Sequence, residues 1–190
     1  MSQSIIVVYH SGYGHTHKVA EAIALGAGAR LLRVDEHGAL PPGGWELLAA
    51  ADAIVFGAPT YMGSASWQFK KFMDDTSKIW LTLGWKDKLA AAFTNSAGMN
   101  GDKASTLYGL FTLSQQHGML WVGMGMMPSN SKAAKRDDVN YVASFTGLAT
   151  TTPADASADE MVQGDLETAR LFGERVSQAL SRIRKVTATA

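Results

Sequence analysis

The sequence predicts a three-layer α/β fold, with a five-stranded parallel sheet of order 2-1-3-4-5 and helices on both faces. Three observations carry that expectation. Ser4 to Tyr9 is an apolar, β-branched run, as a strand buried on both faces requires. Strand-like and helix-like segments then alternate, and right-handed crossovers turn that alternation into a doubly wound sheet. Glycine-containing loops follow the first, third and fourth strands, so all three leave the carboxyl edge of the sheet, where ligands bind at a switch in strand order.

Taken in order, the first strand leads through His10 to Lys18 into an alanine-rich helix around Val19 to Ala24, which Gly26 and Gly28 are expected to end. Ala29 to Val34 alternates enough to lie near a sheet edge. Pro41, Pro42, Gly43 and Gly44 mark a loop, and Trp45 to Ala50 a short helix. Asp52 to Gly57 is the third strand, expected to stop at Pro59. Ser66 to Thr76 places Phe69, Phe72, Met73 and Thr76 at helical spacing. The fourth strand is Leu89 to Thr94, and a helix over Leu107, Leu110, Phe111 and Ser114 closes at Gly118. Met119 to Gly123 supplies the fifth strand. Met126 to Asp155 lacks periodicity, and a connection of that length in a compact domain is usually functional or part of an interface. Ser157 to Glu160 forms a capping box that opens the last helix, with Val162, Leu166, Ala169, Val176, Leu180 and Ile183 on one face. The expectation is one domain over residues 1–190, with a frayed, disordered tail from about residue 185.

Composition narrows the function. The chain has 190 residues, 46% of them hydrophobic and 18% charged, enough for one substantial core. Lys plus Arg equals Asp plus Glu at 17 each, so no long-range field attracts nucleic acid or an anionic membrane. The absence of cysteine removes disulfides, thiolate metal sites and cysteine nucleophiles. Neither a signal-peptide pattern nor a membrane-spanning stretch is evident, which points to a cytoplasmic location.

The loop after the first strand carries the chemistry. Gly12 and Gly14 allow a tight backbone, Ser11 and Thr16 supply hydroxyls, and a helix follows at once, so backbone N–H groups and the positive helix end converge on one point. The third glycine of a dinucleotide fingerprint is replaced by His17, and His17, Lys18 and Val19 do not make a Walker A motif. Hydroxyls and amides without lysine or arginine suit a terminal monophosphate. An ordinary strand-to-helix turn is the competing reading.

Several motifs together resemble the WrbA family of NAD(P)H:quinone oxidoreductases. They are Ser11 to Thr16, Pro59 to Gly63 with the helix containing Phe69 to Asp74, Trp80, Ser96 to Gly98, Gln116 to Met119, and Ala169 to Gly173. The resemblance runs from about residue 4 to about residue 184. It implies a flavodoxin-like fold, FMN as cofactor, NADH or NADPH as electron donor, a quinone as two-electron acceptor, and a homodimer or homotetramer.

Carried over by position, Ser11, Gly12, Tyr13, Gly14, His15 and Thr16 would hold the FMN phosphate and ribityl chain. Pro59, Thr60, Tyr61, Met62 and Gly63 would wrap the isoalloxazine edge. Ser96, Ala97, Gly98, Met99, Asn100 and Gly101 would form a third wall, and Gln116 and His117 would approach the ring. The family often has paired histidines before Gly-Met; here Gln116 takes the first place. Proton donation would then fall to His117, Tyr13 or water, and Trp80 would flank the site where nicotinamide and quinone stack. Competing readings make Trp80 and Trp121 core aromatics, His10, His17 and His37 solvated or capping residues, and Met119, Met124, Met126 and Met127 adaptable packing. No metal site is expected.

Two functions follow from different classes. One is an FMN-dependent enzyme that reduces quinones. The other is a flavodoxin-type carrier of single electrons between proteins; carriers of that kind usually show an acidic docking face, which a neutral chain does not suggest. A receiver domain would need an acidic cluster where His10 and Ser11 stand.

Overall fold

A computed structural model describes residues 4–189, with side chains described through residue 185. β1 (Ile5–Tyr9) is buried along its whole length between β2 (Arg30–Arg33) and β3 (Ala53–Tyr61), parallel to both. β3 pairs in parallel with β5 (Leu89–Ser96), and β5 with β6 (Leu120–Trp121) and β7 (Leu148–Thr151). The order β2-β1-β3-β5-β6 matches the expected topology, with β4 (Ser64–Ala65) added as an antiparallel hairpin arm on β3.

Side chains of the central strands alternate between two cores because successive residues in a strand face opposite ways. Ile5, Val7, Tyr9, Val55 and Phe93 pack on one face against α1 (His15–Ala27) and α6 (Gln163–Thr189). Ile6, Val8, Ile54 and Phe56 pack on the other against α2 (Gly44–Ala50), α3 (Trp67–Asp75), the short α4 (Ser77–Trp80) and α5 (Lys103–Gln116). Each large side chain so buried stabilises the fold by about 1.5–3 kcal/mol.

Several boundaries differ from the sequence reading, each for a local reason. α1 starts at His15 rather than Val19, because Gly14 caps it from the left-handed region at φ 91°. Gly28 ends the helix, whereas Gly26 lies inside it. β3 continues through Pro59 to Tyr61. The last β1–β3 pair is Tyr9 with Gly57, so the missing N–H of Pro59 costs no bond to β1. The strand then reverses at Met62 and Gly63, whose φ angles of 49° and 77° suit a two-residue hairpin turn.

The fifth strand is split. β6 covers only Leu120 and Trp121 beside the start of β5, and β7 completes the position beside its end, with Phe93 opposite Leu148 and Ser96 opposite Thr151. β7 is too short to show a period, so it was lost in the aperiodic stretch. The Ser157 capping box caps a separate 3-10 turn, Ala158–Glu160, and α6 begins only at Gln163 because Met161 is extended at ψ 142°. α6 runs as a helix to Thr189, and residue 190 lies outside the described residues.

α1 and α6 cross with their backbones in close approach. A Cβ on Gly26 would lie 1.9 Å from the Arg170 carbonyl oxygen, and one on Gly173 would lie 2.1 Å from that of Ile23. Gly26→Ala should therefore lower stability by roughly 2 kcal/mol, although alanine favours an isolated helix by about 1 kcal/mol. Urea unfolding measures it; a raised midpoint would show that the helices separate without cost.

Candidate functional site

The loops after β1, β3 and β5 converge at the carboxyl edge of the sheet around a cleft of about 330 Å³. Its walls include Tyr13, His15 and Thr16 from the first loop and α1, Pro59, Thr60 and Tyr61 from the end of β3, and Ser96 and Ala97 beyond β5. Asn95, Thr152 and Ala154 complete it. The last two follow β7, and the sequence reading missed them because β7 itself was not visible.

At the base of the cleft the start of α1 is open. No side chain caps the helix and its first turn holds no acidic residue. The first bond into the helix runs from the Lys18 N–H to the Gly14 carbonyl, so the N–H groups of His15, Thr16 and His17 precede the helical ladder. The Ser11 hydroxyl accepts the Gly14 N–H at 3.1 Å, which leaves its own proton available to a ligand oxygen. Behind the loop, Arg33 donates to the Ser11 carbonyl at 3.1 Å. A cation from β2 therefore stands behind the loop, outside the segment that the sequence reading considered.

Tyr13 and Tyr61 stand at the mouth with rings edge to face, centroids 6.2 Å apart, and Gly12 leaves the space that the Tyr61 hydroxyl uses; a Cβ there would lie 2.7 Å from that oxygen. Burial raises the Tyr61 pKa, so its hydroxyl remains a donor across the physiological range. Thr60 is buried and shares its hydroxyl with Thr94 at 2.7 Å and Thr106 at 2.8 Å, tying β3, β5 and α5 together. His15 bonds through Nε2 to the Ala156 carbonyl at 2.7 Å, which fastens residues 152–160 over the first loop.

Other expected site residues lie elsewhere. Met62 and Gly63 form the hairpin tip, with Met62 fully exposed. Gly98 and Gly101 shape the turn before α5, and Met99 and Asn100 face a neighbouring groove. Lys103 is buried, donates to the Gly98 and Met99 carbonyls, and has its pKa pushed down to about 8 by burial. Trp80, Gln116 and His117 line a separate recess with Thr76 and Met73.

His117, the expected proton donor, lies away from this cleft. It is 1% exposed, its ring packs on Trp85 at 4.5 Å, and Nε2 meets the Thr76 hydroxyl at 2.9 Å. The Thr76 hydroxyl donates to the Met73 carbonyl, so His117 Nε2 is the donor to Thr76, and neither ring nitrogen reaches the cleft. Trp80 is half-exposed beside the same recess and likewise does not line the cleft. Among the described residues no cluster of three or more His, Asp or Glu side chains could hold a metal ion, and no helix is long and apolar enough to cross a membrane.

Burial pushes the His117 pKa below its ordinary 6.5. The unfolded chain therefore takes up this proton first, and stability is complete above pH 6.5 and lost as pH falls toward the depressed folded value. Burial also depresses His10, whose contribution has the same sign. Urea unfolding at pH 7 and pH 5 should show a loss that His117→Gln, which can still donate to Thr76, partly removes. An unchanged loss in that variant would assign the effect to other groups.

A family model described as NADPH-dependent FMN reductase matches residues 45–134. The chain is 49% identical over 173 residues to flavodoxin FldP of Pseudomonas aeruginosa, covering 91% of this chain and 94% of that one. It is 30% identical over 203 residues to an NAD(P)H dehydrogenase (quinone) of Trichlorobacter lovleyi, covering 94% and 98%. Among solved structures, the flavodoxin, WrbA-like protein from Agrobacterium tumefaciens matches with a TM-score of 0.80 and 47% identity, covering 95% and 99%. An archaeal flavodoxin at 19% identity and a TM-score of 0.63 shares the fold. Flavodoxin-like topology, a phosphate-type loop at the switch point and identity along nearly the whole length together mean that the chain belongs to the WrbA-like family of flavodoxin-fold proteins.

Proposed function

We propose that this protein is an FMN-dependent NAD(P)H:quinone oxidoreductase that reduces quinones by two electrons. The observation that carries the reading is the uncapped start of α1 opening into a cleft at the β1/β3 switch point. Its N–H groups, with the Ser11 and Thr16 hydroxyls and Arg33 behind the loop, fit a dianionic monophosphate. The walls beyond fit a flat ring system, with Pro59 and Tyr61 on one side and Ser96 and Ala97 on the other. Relatives named NAD(P)H dehydrogenase (quinone) support electron flow from NAD(P)H to a quinone.

When bound, FMN supplies hydride acceptance from a nicotinamide and two-electron delivery to a quinone. The chain's own part is placement. Ser11, Gly12, Gly14, His15 and Thr16 fix the phosphate end, while Thr60 is held by Thr94 and Thr106 so that the end of β3 presents a set backbone to the ring. Tyr13, which is mostly exposed, forms the outer wall where nicotinamide and quinone would take turns. Tyr61 keeps its proton and offers a hydroxyl at the mouth. With His117 buried behind Trp85, Tyr61, Tyr13 and solvent are the proton sources at the mouth.

The 49% identical relative named a flavodoxin supports a second reading, a carrier of single electrons. Charge disfavours it, because 17 cations balance 17 anions and leave no net acidity to steer a basic partner. Anaerobic mixing of the FMN-loaded protein with NADH or NADPH, followed by benzoquinone, decides between them. Rapid bleaching of oxidised flavin and full recovery on quinone is the expected result. Reduction by dithionite alone, with a stable one-electron-reduced flavin, would favour the carrier.

Ser11→Ala combined with Thr16→Ala should weaken FMN binding by about a hundredfold or more, since hydrogen bonds to a charged group contribute about 1.5–3 kcal/mol each. Calorimetry measures the affinity and circular dichroism the fold. Unchanged affinity in the folded double variant would remove the phosphate-loop assignment.

A further inference from the structure

Asn95 is the one wall residue of the cleft whose side chain is held from behind by the split fifth strand. It is the next-to-last residue of β5, before Ser96, and is 5% exposed. Its Oδ1 accepts the Thr150 hydroxyl at 2.9 Å and the Thr152 hydroxyl at 3.0 Å. With both oxygen acceptor positions filled from β7 and the residue after it, the Nδ2 group faces the other way. That nitrogen has no protein acceptor among the described residues, yet it is not sealed from solvent, and Asn95 lines the cleft. A primary amide so placed is an oriented hydrogen-bond donor in the cleft wall.

Sheet geometry says which part of the ligand it meets. In register, Asn95 lies opposite Pro59 on β3, and β3 lies beside β1. Two strand spacings separate the end of β5 from that of β1, about 10 Å at the usual interstrand distance. A phosphate at the start of α1 is therefore out of reach. Of the two ends of an isoalloxazine ring, the dimethylbenzene end has no acceptor, whereas the pyrimidine end carries two carbonyl oxygens.

We propose that Asn95 is a flavin-specificity residue that donates its side-chain amide to a carbonyl oxygen of the pyrimidine ring, oriented by Thr150 and Thr152. The assignment rests on the FMN reading above. It makes the strand that follows the aperiodic insertion part of the cofactor site, because β7 sets the orientation of the donor. β7 is itself anchored: Asp165 accepts the Thr151 N–H at 2.8 Å and pairs with Arg136, which also donates to the Thr151 carbonyl.

The test uses Asn95→Asp, which keeps an acceptor for both threonine hydroxyls and removes the donor, and Asn95→Ala as a neutral second variant. Full-length apoprotein is titrated with FMN and with lumiflavin, the bare ring without ribityl chain, phosphate or charge, following flavin fluorescence. Wild type is expected to bind both, FMN more tightly. Each variant should lose roughly tenfold in affinity for both ligands alike, the size expected for one hydrogen bond. Asn95→Asp should keep the apoprotein melting temperature. Loss confined to FMN would place the contact on the ribityl phosphate and overturn the proposal, and so would unchanged lumiflavin affinity in both variants. Failure of wild type to bind either flavin would instead remove the cofactor reading itself. Should neither variant fold, the wild-type protein labelled with nitrogen-15 decides: the Asn95 side-chain amide proton should shift downfield on adding lumiflavin, and an unmoved resonance would overturn the contact.

Discussion

The close crossing of α1 over α6 sets the geometry on which the site depends. Backbone meets backbone where Gly26 faces Arg170 and Gly173 faces Ile23, and neither position has room for a Cβ. Val19, Ala20 and Ile23 of α1 then reach the sheet beside β1, with Ala169, Phe172 and Val176 of α6 in the same core. A helix pinned along its length in this way cannot tilt its first turn out of register with the strand before it. Its unpartnered N–H groups are therefore held at the carboxyl edge of the sheet, aimed at the cleft without a ligand being needed to order them.

The second organising feature is the division of the fifth strand. β6 and β7 share one edge of β5, with residues 122–147 leaving and returning between them. The return is secured by Arg136 and Asp165, a largely buried pair in which the carboxylate also takes the Thr151 N–H. Pairing and backbone bonds together offset the cost of burying these charges. The inserted segment thus brings the Thr150 and Thr152 hydroxyls behind Asn95, with Thr152 itself in the cleft wall, where an uninterrupted strand ending near Gly123 would have placed neither.

Much of the site was written in local chemistry. Of the cleft wall, Tyr13, His15 and Thr16 were readable because a strand, a glycine turn and a helix follow one another there, and Pro59 to Tyr61 and Ser96 to Ala97 because they follow apolar strands. Asn95, Thr152 and Arg33 could not be singled out the same way. Their relevance comes from what stands opposite them in the sheet or behind the loop, and no local signal marks it. His117 shows the reverse case. Beside Gln116 in a family-like motif it looked available for proton transfer, but Trp85 and Thr76, distant in sequence, bury it in another recess.

By itself the sequence determined the parallel sheet and its strand order, because apolar runs separated by amphipathic helices have few ways to bury both faces. It also marked the helix start that opens at the cleft, since the strand, the glycine turn and the hydroxyls are neighbours along the chain. Tertiary structure alone decided which of the loop residues share a cleft, that β3 runs past its proline, and that a strand hidden in an aperiodic stretch completes the sheet. Those outcomes depend on pairing between segments far apart in the chain. A hydrogen-bond partner or a packing neighbour supplied from another strand leaves no period in the sequence that receives it.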